Sequence, residues 1–427
     1  MTNTTLLLEK FKNHKSDERL ADIYGTEDSV LSYQRQRYYN AISKYVEIYG
    51  EDEVEIYSAP GRTEICGNHT DHQNGMILAA SINLDMIAIV AAKEDRIVEF
   101  ASEGYAPIRF DIHKLDISDS EKGTTTALLK GVIKGMQDKG YRTGAFKAYL
   151  TSDVLGGSGL SSSAALESII GAIQSGLYNE MSVSPVDIAI IGQYAENVYF
   201  GKPCGLMDQL ACSVGDFVQV DFKTPGQPVV ENINFDIEAA GYRLCIVDTK
   251  GSHANLTDDY AAIPYEMKQV AAHFGKELLR EISLDDFLAN LNRLYGNVSD
   301  RAILRALHFL TENERVQKAA SALKDNRFDD FLMTIRESGD SSYKYLQNVY
   351  SNKYETIQPV PVTLALSSYF LQDNGVCRIH GGGFAGAIQA FVKNECVAGY
   401  KEFIENILGK DTCHILKIRK QGGIRVC

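Results

Sequence analysis

The sequence predicts a mixed α+β protein of two domains, and three observations predict it. Its 427 residues exceed what one compact core of ordinary size encloses. Strand-rich and helix-rich stretches follow one another without regular βαβ alternation. The composition, 44% hydrophobic and 23% charged with no low-complexity tract, is that of a folded globular chain.

Residues 1–50 read as helical, with Leu6, Leu7, Phe11, Tyr39, Ile42 and Tyr45 spaced among polar positions. Strands follow in VEIYSAPGR (54–62) and MILAASINLDMIAIVAAKEDRIVEFAS (76–102), which are rich in strand formers separated by turn residues. AFKAYLTSDVL (145–155) is a further strand, and it runs into LGGSGLSSSAALESIIGAI (155–173). Helices are expected over about 162–177 and about 186–199. A second strand-and-helix region begins at YRLCIVDTKG (242–251), with helices between about 260 and 347 that include DDFLANLNRLYG and DRAILRALHFL. After QPVPVT come one more helix, the glycine-rich turn and strand of CRIHGGGFAGAIQAFV, and a final helix and strand. No internal repeat is visible.

A formal charge of −13 argues against a nucleic-acid or anionic-membrane partner, since both require a basic face. An anionic ligand must then be met by local donors. The eight cysteines form no C-x-x-C pair and read as reduced thiols. In MTNTTLLLEKFKNHKSDERL, charge interrupts the leucine run at once, unlike a signal peptide or a membrane span. A cytoplasmic protein is expected.

Four segments carry candidate chemistry. APGRTEICGNHTDHQNG (59–75) gathers Arg62, Asn68, His69, Asp71 and His72 in a turn after a strand. His69, Asp71 and His72 could ligate a metal, but their spacing matches no zinc pattern, and such varied donors and acceptors suit a site that reads hydroxyls. The loop 155–163 lacks the lysine of a G-x-x-x-x-G-K-[ST] motif and the third glycine of a dinucleotide fingerprint, and Ser163 stands where a G-x-S-x-G elbow needs glycine. What remains is a glycine cradle whose amides could hold phosphate, with serine hydroxyls able to reach a phosphate oxygen or magnesium; the bland alternative is a turn with a capping serine. In AENVYFGKPCGLMDQLACSVG (195–215), Glu196 lies on a predicted helix and Asp208 follows a Pro-Cys-Gly turn. The apolar neighbours Leu206, Met207, Leu210 and Ala211 predict a partly enclosed Asp208 carboxylate. HGGGFAGAI (380–388), as a bare pattern, is more often a turn or bulge than a ligand loop.

Together these segments resemble the galactokinases of the GHMP small-molecule kinase superfamily. They are similar, in order, to P-G-R-V-N-x-I-G-E-H-T-D-Y, G-x-G-L-S-S-S-A, A-E-H…G-x-x-C-G-x-M-D-Q and T-G-G-G-F-G-G. A fifth piece, GSHANLTDDYAAI (251–263), resembles the family's stretch ending in a sugar-contacting Tyr. The resemblance runs from about residue 53 to about 393. It implies a two-domain α+β fold: an N-terminal α/β domain like ribosomal protein S5 (1–216) and a C-terminal ferredoxin-like α+β domain (217–427), with the active site in the cleft between them. It also implies an ATP-dependent kinase of the C1 hydroxyl of galactose, acting as a monomer on sugar and ATP with Mg2+.

By that resemblance Asp208 is the base and Arg62 its electrostatic partner. Gly157, Ser158, Gly159, Leu160, Ser161, Ser162 and Ser163 wrap the ATP phosphates, and Ser163 and Glu196 hold magnesium. Asn68, His69, Asp71, Gly205 and Tyr260 contact the sugar. Physically, Arg62 keeps Asp208 ionised so that it accepts the hydroxyl proton, while magnesium and loop amides offset the phosphoryl charge. Among the departures from the family pattern, Asn68 replaces Glu, His72 replaces Tyr, His380 replaces Thr and Ala385 replaces Gly. Asn68 keeps an acceptor but loses charge, which is expected to weaken galactose binding by about 1–2 kcal/mol or to mark a different sugar. L-arabinose, N-acetylgalactosamine and a uronic acid are therefore alternative substrates. A non-catalytic galactose sensor on the same fold is a further alternative, disfavoured by the intact GLSSSAAL, Arg62, Glu196 and Asp208.

Overall fold

Alternation in the two longest strands decides the architecture. In Glu53–Cys66 and Met76–Ala92, Ile56, Ile87 and Ile89 join one buried cluster, and Tyr57, Ala59, Ala88 and Val90 join another across the sheet. A sheet buried on both faces needs a layer on each side. The N-terminal helices Thr4–Lys12, Asp17–Tyr24 and Asp28–Tyr49 form the first layer, through Leu7, Phe11, Tyr38, Ile42 and Tyr45. The second is built from Thr125–Asp138, Ser162–Asn179 and Pro185–Tyr194, with Leu129, Ile133, Ile169 and Ile173 among its buried residues. Thr124 and Ser184 start two of these helices by accepting hydrogen bonds from Ala127 and Asp187 N–H groups. The helix expected over 186–199 is α-helical to Tyr194 and continues as a π-helical turn, Ala195–Phe200.

This computed structural model describes residues 1–154, 159–224, 226–252 and 256–427. Among them the first sheet has nine strands. Its path runs Thr2–Asn3, Glu53–Cys66, Met76–Ala92, Phe146–Ser152, Ile97–Ser102, Ile108–Asp111, and only Ile97–Ser102 and Phe146–Ser152 pair in parallel. Ile424–Arg425 adds to Glu53–Cys66, and Phe217–Asp221 followed by Val229–Ile233 extends from Met76–Ala92. The division expected at 216–217 thus falls inside this sheet, and the passage to the second sheet lies between Ile233 and Tyr242. The second sheet is antiparallel, ordered Gly375–Ile379, Ala387–Lys393, Tyr242–Asp248, Cys413–Leu416. Cys245 and Val247 meet helices Pro359–Leu371 and Val397–Leu408, while Leu244 and Ile246 belong to the cluster of Asp300–Lys324 and Phe328–Ser341.

A buried ion cluster fastens both ends of the chain to the first sheet. Asp85 accepts hydrogen bonds from Arg37 (2.6 Å), Arg419 (2.8 Å), Tyr24 (2.6 Å) and Ser58. Burial pushes its pKa up, but the two guanidiniums outweigh it and hold the carboxyl below its ordinary value. Ionised Asp85 therefore stabilises the fold above the unfolded pKa of about 3.9, and this is lost as pH falls through the lower folded value. Asp85→Ala strips buried Arg419 of its carboxylate and leaves Arg37 only Asp153, at 3.0 Å; it is expected to cost about 3–5 kcal/mol in a urea titration at pH 7, whereas a loss under about 1 kcal/mol contradicts the role.

Candidate active site

Arg62 lies on Glu53–Cys66 at a register irregularity between Pro60 and Arg62. At Gly61 a Cβ would stand 2.8 Å from the Leu160 carbonyl, so glycine lets the strand reach the serine loop. The Arg62 N–H donates to that carbonyl at 3.1 Å. Its guanidinium forks onto Asp208, Nε to Oδ1 at 2.7 Å and Nη2 to Oδ2 at 2.6 Å, and Nη1 donates to the Gly159 carbonyl.

Asp208 occupies the first turn of helix Met207–Val214 and also accepts from Ser161. Ser161 has a left-handed φ of 58° at the start of Ser162–Asn179, yet its side chain makes no cap hydrogen bond. Its hydroxyl is committed to Asp208, which distinguishes it from an ordinary capping serine. Burial would raise the Asp208 pKa, but the charge and hydrogen bonds of Arg62, with Ser161, hold it below the usual carboxylate range. The Asp208 side chain is 31% exposed and that of Arg62 8%, so Asp208 is partly enclosed while the guanidinium is buried.

Beside this pair, Ser163 donates to Glu196 Oε1 at 3.2 Å, and Lys202 Nζ lies 3.4 Å from the same oxygen. Gln209 Nε2 bridges Glu196 Oε2 (2.8 Å) and Glu167 Oε2 (3.0 Å). Burial, then the charge of Glu196, pushes the Glu167 carboxyl well above its ordinary range, and its Oε1 is buried with no hydrogen-bond partner among the described residues. A hydroxyl beside the Glu196 carboxylate, with the unpartnered Glu167 oxygen behind it, offers the oxygen ligands that a hard divalent cation takes. A cavity of about 460 Å³ adjoins Ser162 and Ser163, walled by Phe100, Tyr105, Leu128 and Leu166. Gly157 and Ser158 lie outside the described residues, and the side chain of Leu160 is buried in the core, which leaves only its backbone for a ligand.

On the other side, a cavity of about 140 Å³ is lined by Glu64, Asn68, His69, Asp71, Met207 and Gly382. Gly205 fits against Asp71 because it lacks a side chain, a Cβ there falling 1.9 Å from Asp71 Oδ2. The late glycine loop is tied to this wall: Asn68 donates to the Gly381 carbonyl, His69 Nε2 to that of Gly382 and Tyr260 to that of Gly383, each at 2.7 Å. Burial lowers the His69 pKa to about 4, so the ring is neutral at pH 7. His380 stands near Gly159 with both ring nitrogens buried and unpartnered among the described residues, its pKa lowered by burial to about 3. No group of three His, Cys, Asp or Glu side chains among the described residues is arranged to hold a metal, and His69 is already engaged with Gly382.

Asn68 requires a correction. It was expected to offer its carbonyl to a sugar hydroxyl, but it is fully buried and its amide is spent on the protein. Nδ2 donates to Glu64 and Gly381, and Oδ1 accepts from Asn348 at 2.5 Å. Glu64, Glu167, Gln209 and Asn348 are absent from the sequence-based candidates. For Glu64 a signal existed, since it lies two residues after Arg62 and so on the same face of the strand.

Two family profiles match the chain: the galactokinase galactose-binding signature over residues 43–92 and the GHMP kinases N terminal domain over residues 127–216. Among solved structures, Lactococcus lactis galactokinase complexed with galactose has a TM-score of 0.74 at 24% identity, covering 90% of this chain and 98% of that one. A mevalonate kinase has a TM-score of 0.58 at 14% identity, covering 86% and 99%. Fold and domain profile define a GHMP kinase, as the ordered motifs implied. The galactokinase of Glaesserella parasuis serovar 5 is 32% identical over 377 residues, 87% of this chain and 93% of that relative, and the Streptomyces coelicolor galactokinase 28% over 368 residues, 85% and 91%. The chain belongs to the galactokinase family. No helix among the described residues is long and apolar enough to cross a membrane.

Proposed function

We propose that the chain transfers the terminal phosphoryl group of ATP to the anomeric C1 hydroxyl of D-galactose. The observation that carries this reading is the Arg62–Asp208–Ser161 cluster, with a half-open carboxylate near both a serine-edged cavity and a smaller cavity lined by polar groups. Ionised Asp208 accepts the hydroxyl proton as the oxygen attacks phosphorus, and Arg62 keeps that carboxylate charged. Amides of the 157–163 loop cradle the phosphates. Ser163 and Glu196 would hold Mg2+, which when bound offsets phosphate charge. His69, Asp71, Gly205 and Tyr260 shape the sugar pocket. On this reading the two sheets belong to two domains that meet at the site, with the boundary between residues 234 and 241.

Two carboxylates, Glu64 and Asp71, line the smaller cavity and disfavour a uronic acid. The test is kcat/KM for a panel of D-galactose, L-arabinose, N-acetylgalactosamine and galacturonic acid with Mg-ATP. D-galactose is expected to lead. A higher value for another sugar overturns the substrate, and galactose binding without ATP consumption identifies a sensor instead.

A further inference from the structure

The family pattern P-G-R-V-N-x-I-G-E-H-T-D-Y has Asn two positions after its arginine and Glu six positions after it. This chain reads P-G-R-T-E-I-C-G-N-H-T-D-H from residue 60, so Glu64 stands at the Asn position and Asn68 at the Glu position. The exchanged residues touch, Asn68 Nδ2 donating to Glu64 Oε1 at 2.7 Å. Arg378 Nη2 lies 3.7 Å from the same oxygen. No described residue donates to Glu64 Oε2, although Glu64 is only 4% exposed and lines the smaller cavity with Asn68, His69 and Asp71. Asn68 is clamped by Asn348 and Gly381 and presents its amide edge to Glu64.

We propose that Glu64 is the carboxylate that accepts a hydrogen bond from a ring hydroxyl of a neutral sugar, with Asn68 as the residue that positions it; this rests on the sugar-kinase reading above. The carboxylate and the amide have traded places along the chain while remaining side by side in the cavity wall. The charge given up at position 68 is therefore supplied from four residues upstream. Burial pushes the Glu64 carboxyl up to about 7 against the opposing pull of Arg378 and Asn68. A hydroxyl donor at Oε2 favours its ionised form.

The test compares Glu64→Gln, Glu64→Asn, Asn68→Glu and the double exchange E64N/N68E, using the sugar that the wild type turns over best. Glu64→Gln is expected to raise the sugar KM about ten-fold or more while kcat falls less than about three-fold and the ATP KM stays put. The double exchange is expected to recover at least about ten-fold in kcat/KM over the weaker of its two single variants. A sugar KM for Glu64→Gln within about two-fold of wild type overturns the inference, as does a double exchange no better than the weaker single. If thermal melting shows Glu64→Gln unfolded, the exchange carries the test alone, because it keeps one carboxylate and one amide in the pair. It must then fold and saturate with sugar, and failure in either contradicts the inference. Turnover by the wild type on none of the four sugars sinks the kinase reading itself, a result distinct from any of these.

Discussion

Asp208→Asn is expected to lower kcat about a thousand-fold with little loss of sugar binding or of folding. The substitution keeps the shape of the side chain, and with its one oxygen at the Oδ2 position Arg62 Nη2 and Ser161 can still donate to it. It removes the only atom set in the cluster able to take up a proton, because Arg62 is a permanent cation and Ser161 has already directed its hydroxyl to Asp208. The carboxylate is a third exposed, so its neutralisation leaves no deeply buried group stranded except Arg62, which also donates to the Gly159 carbonyl. Calorimetric galactose binding near the wild-type value, together with an unchanged melting profile, distinguishes this from a folding defect. Turnover at the wild-type rate removes Asp208 from the reaction.

Arg62→Gln is expected to cost about a hundred-fold to a thousand-fold in kcat, the loss typical of one preorganised charge-stabilising donor. It also carries a pH signature that a purely structural residue would lack. In the wild type, burial raises the Asp208 pKa and Arg62 is the principal group that brings it down. With Arg62 gone, burial is opposed mainly by Ser161 and Lys202, and the pKa climbs. Asp208 must be ionised to accept a proton, so the acid limb of kcat/KM against pH moves to higher pH in the variant. An acid limb that stays in place contradicts the coupling.

Much of the site was legible because it is written in short, ordered segments. The strand that carries Arg62 and the helix that opens at Ser162 lie where local composition and periodicity put them. The expected enclosure of Asp208 came from its apolar neighbours, and the site bears that geometry. Less legible was anything decided by a partner far along the chain. The fate of the Asn68 amide depends on Asn348 and on the carbonyl of Gly381, which no local pattern around residue 68 announces.

The same holds for Asp85, whose charge is matched by Arg37 from the N-terminal helices and Arg419 from the C-terminal segment. The resemblance places Phe217–Asp221 in the second domain, but register with Met76–Ala92 draws it into the first sheet. Helix Thr125–Asp138 has a capping threonine and buried Leu128, Leu129, Val132, Ile133 and Met136, a periodic signal that the sequence itself carries. Residues 1–50 were legible as helices but not in purpose, since covering a sheet face is a property of the sheet's second buried side.

The most direct test is a crystal structure of the wild type with galactose and a non-hydrolysable ATP analogue. The C1 hydroxyl oxygen is expected within about 2.6–3.2 Å of the Asp208 carboxylate, with the terminal phosphate on its far side. A sugar whose reducing end points to solvent, or that offers Asp208 a different hydroxyl, would contradict it.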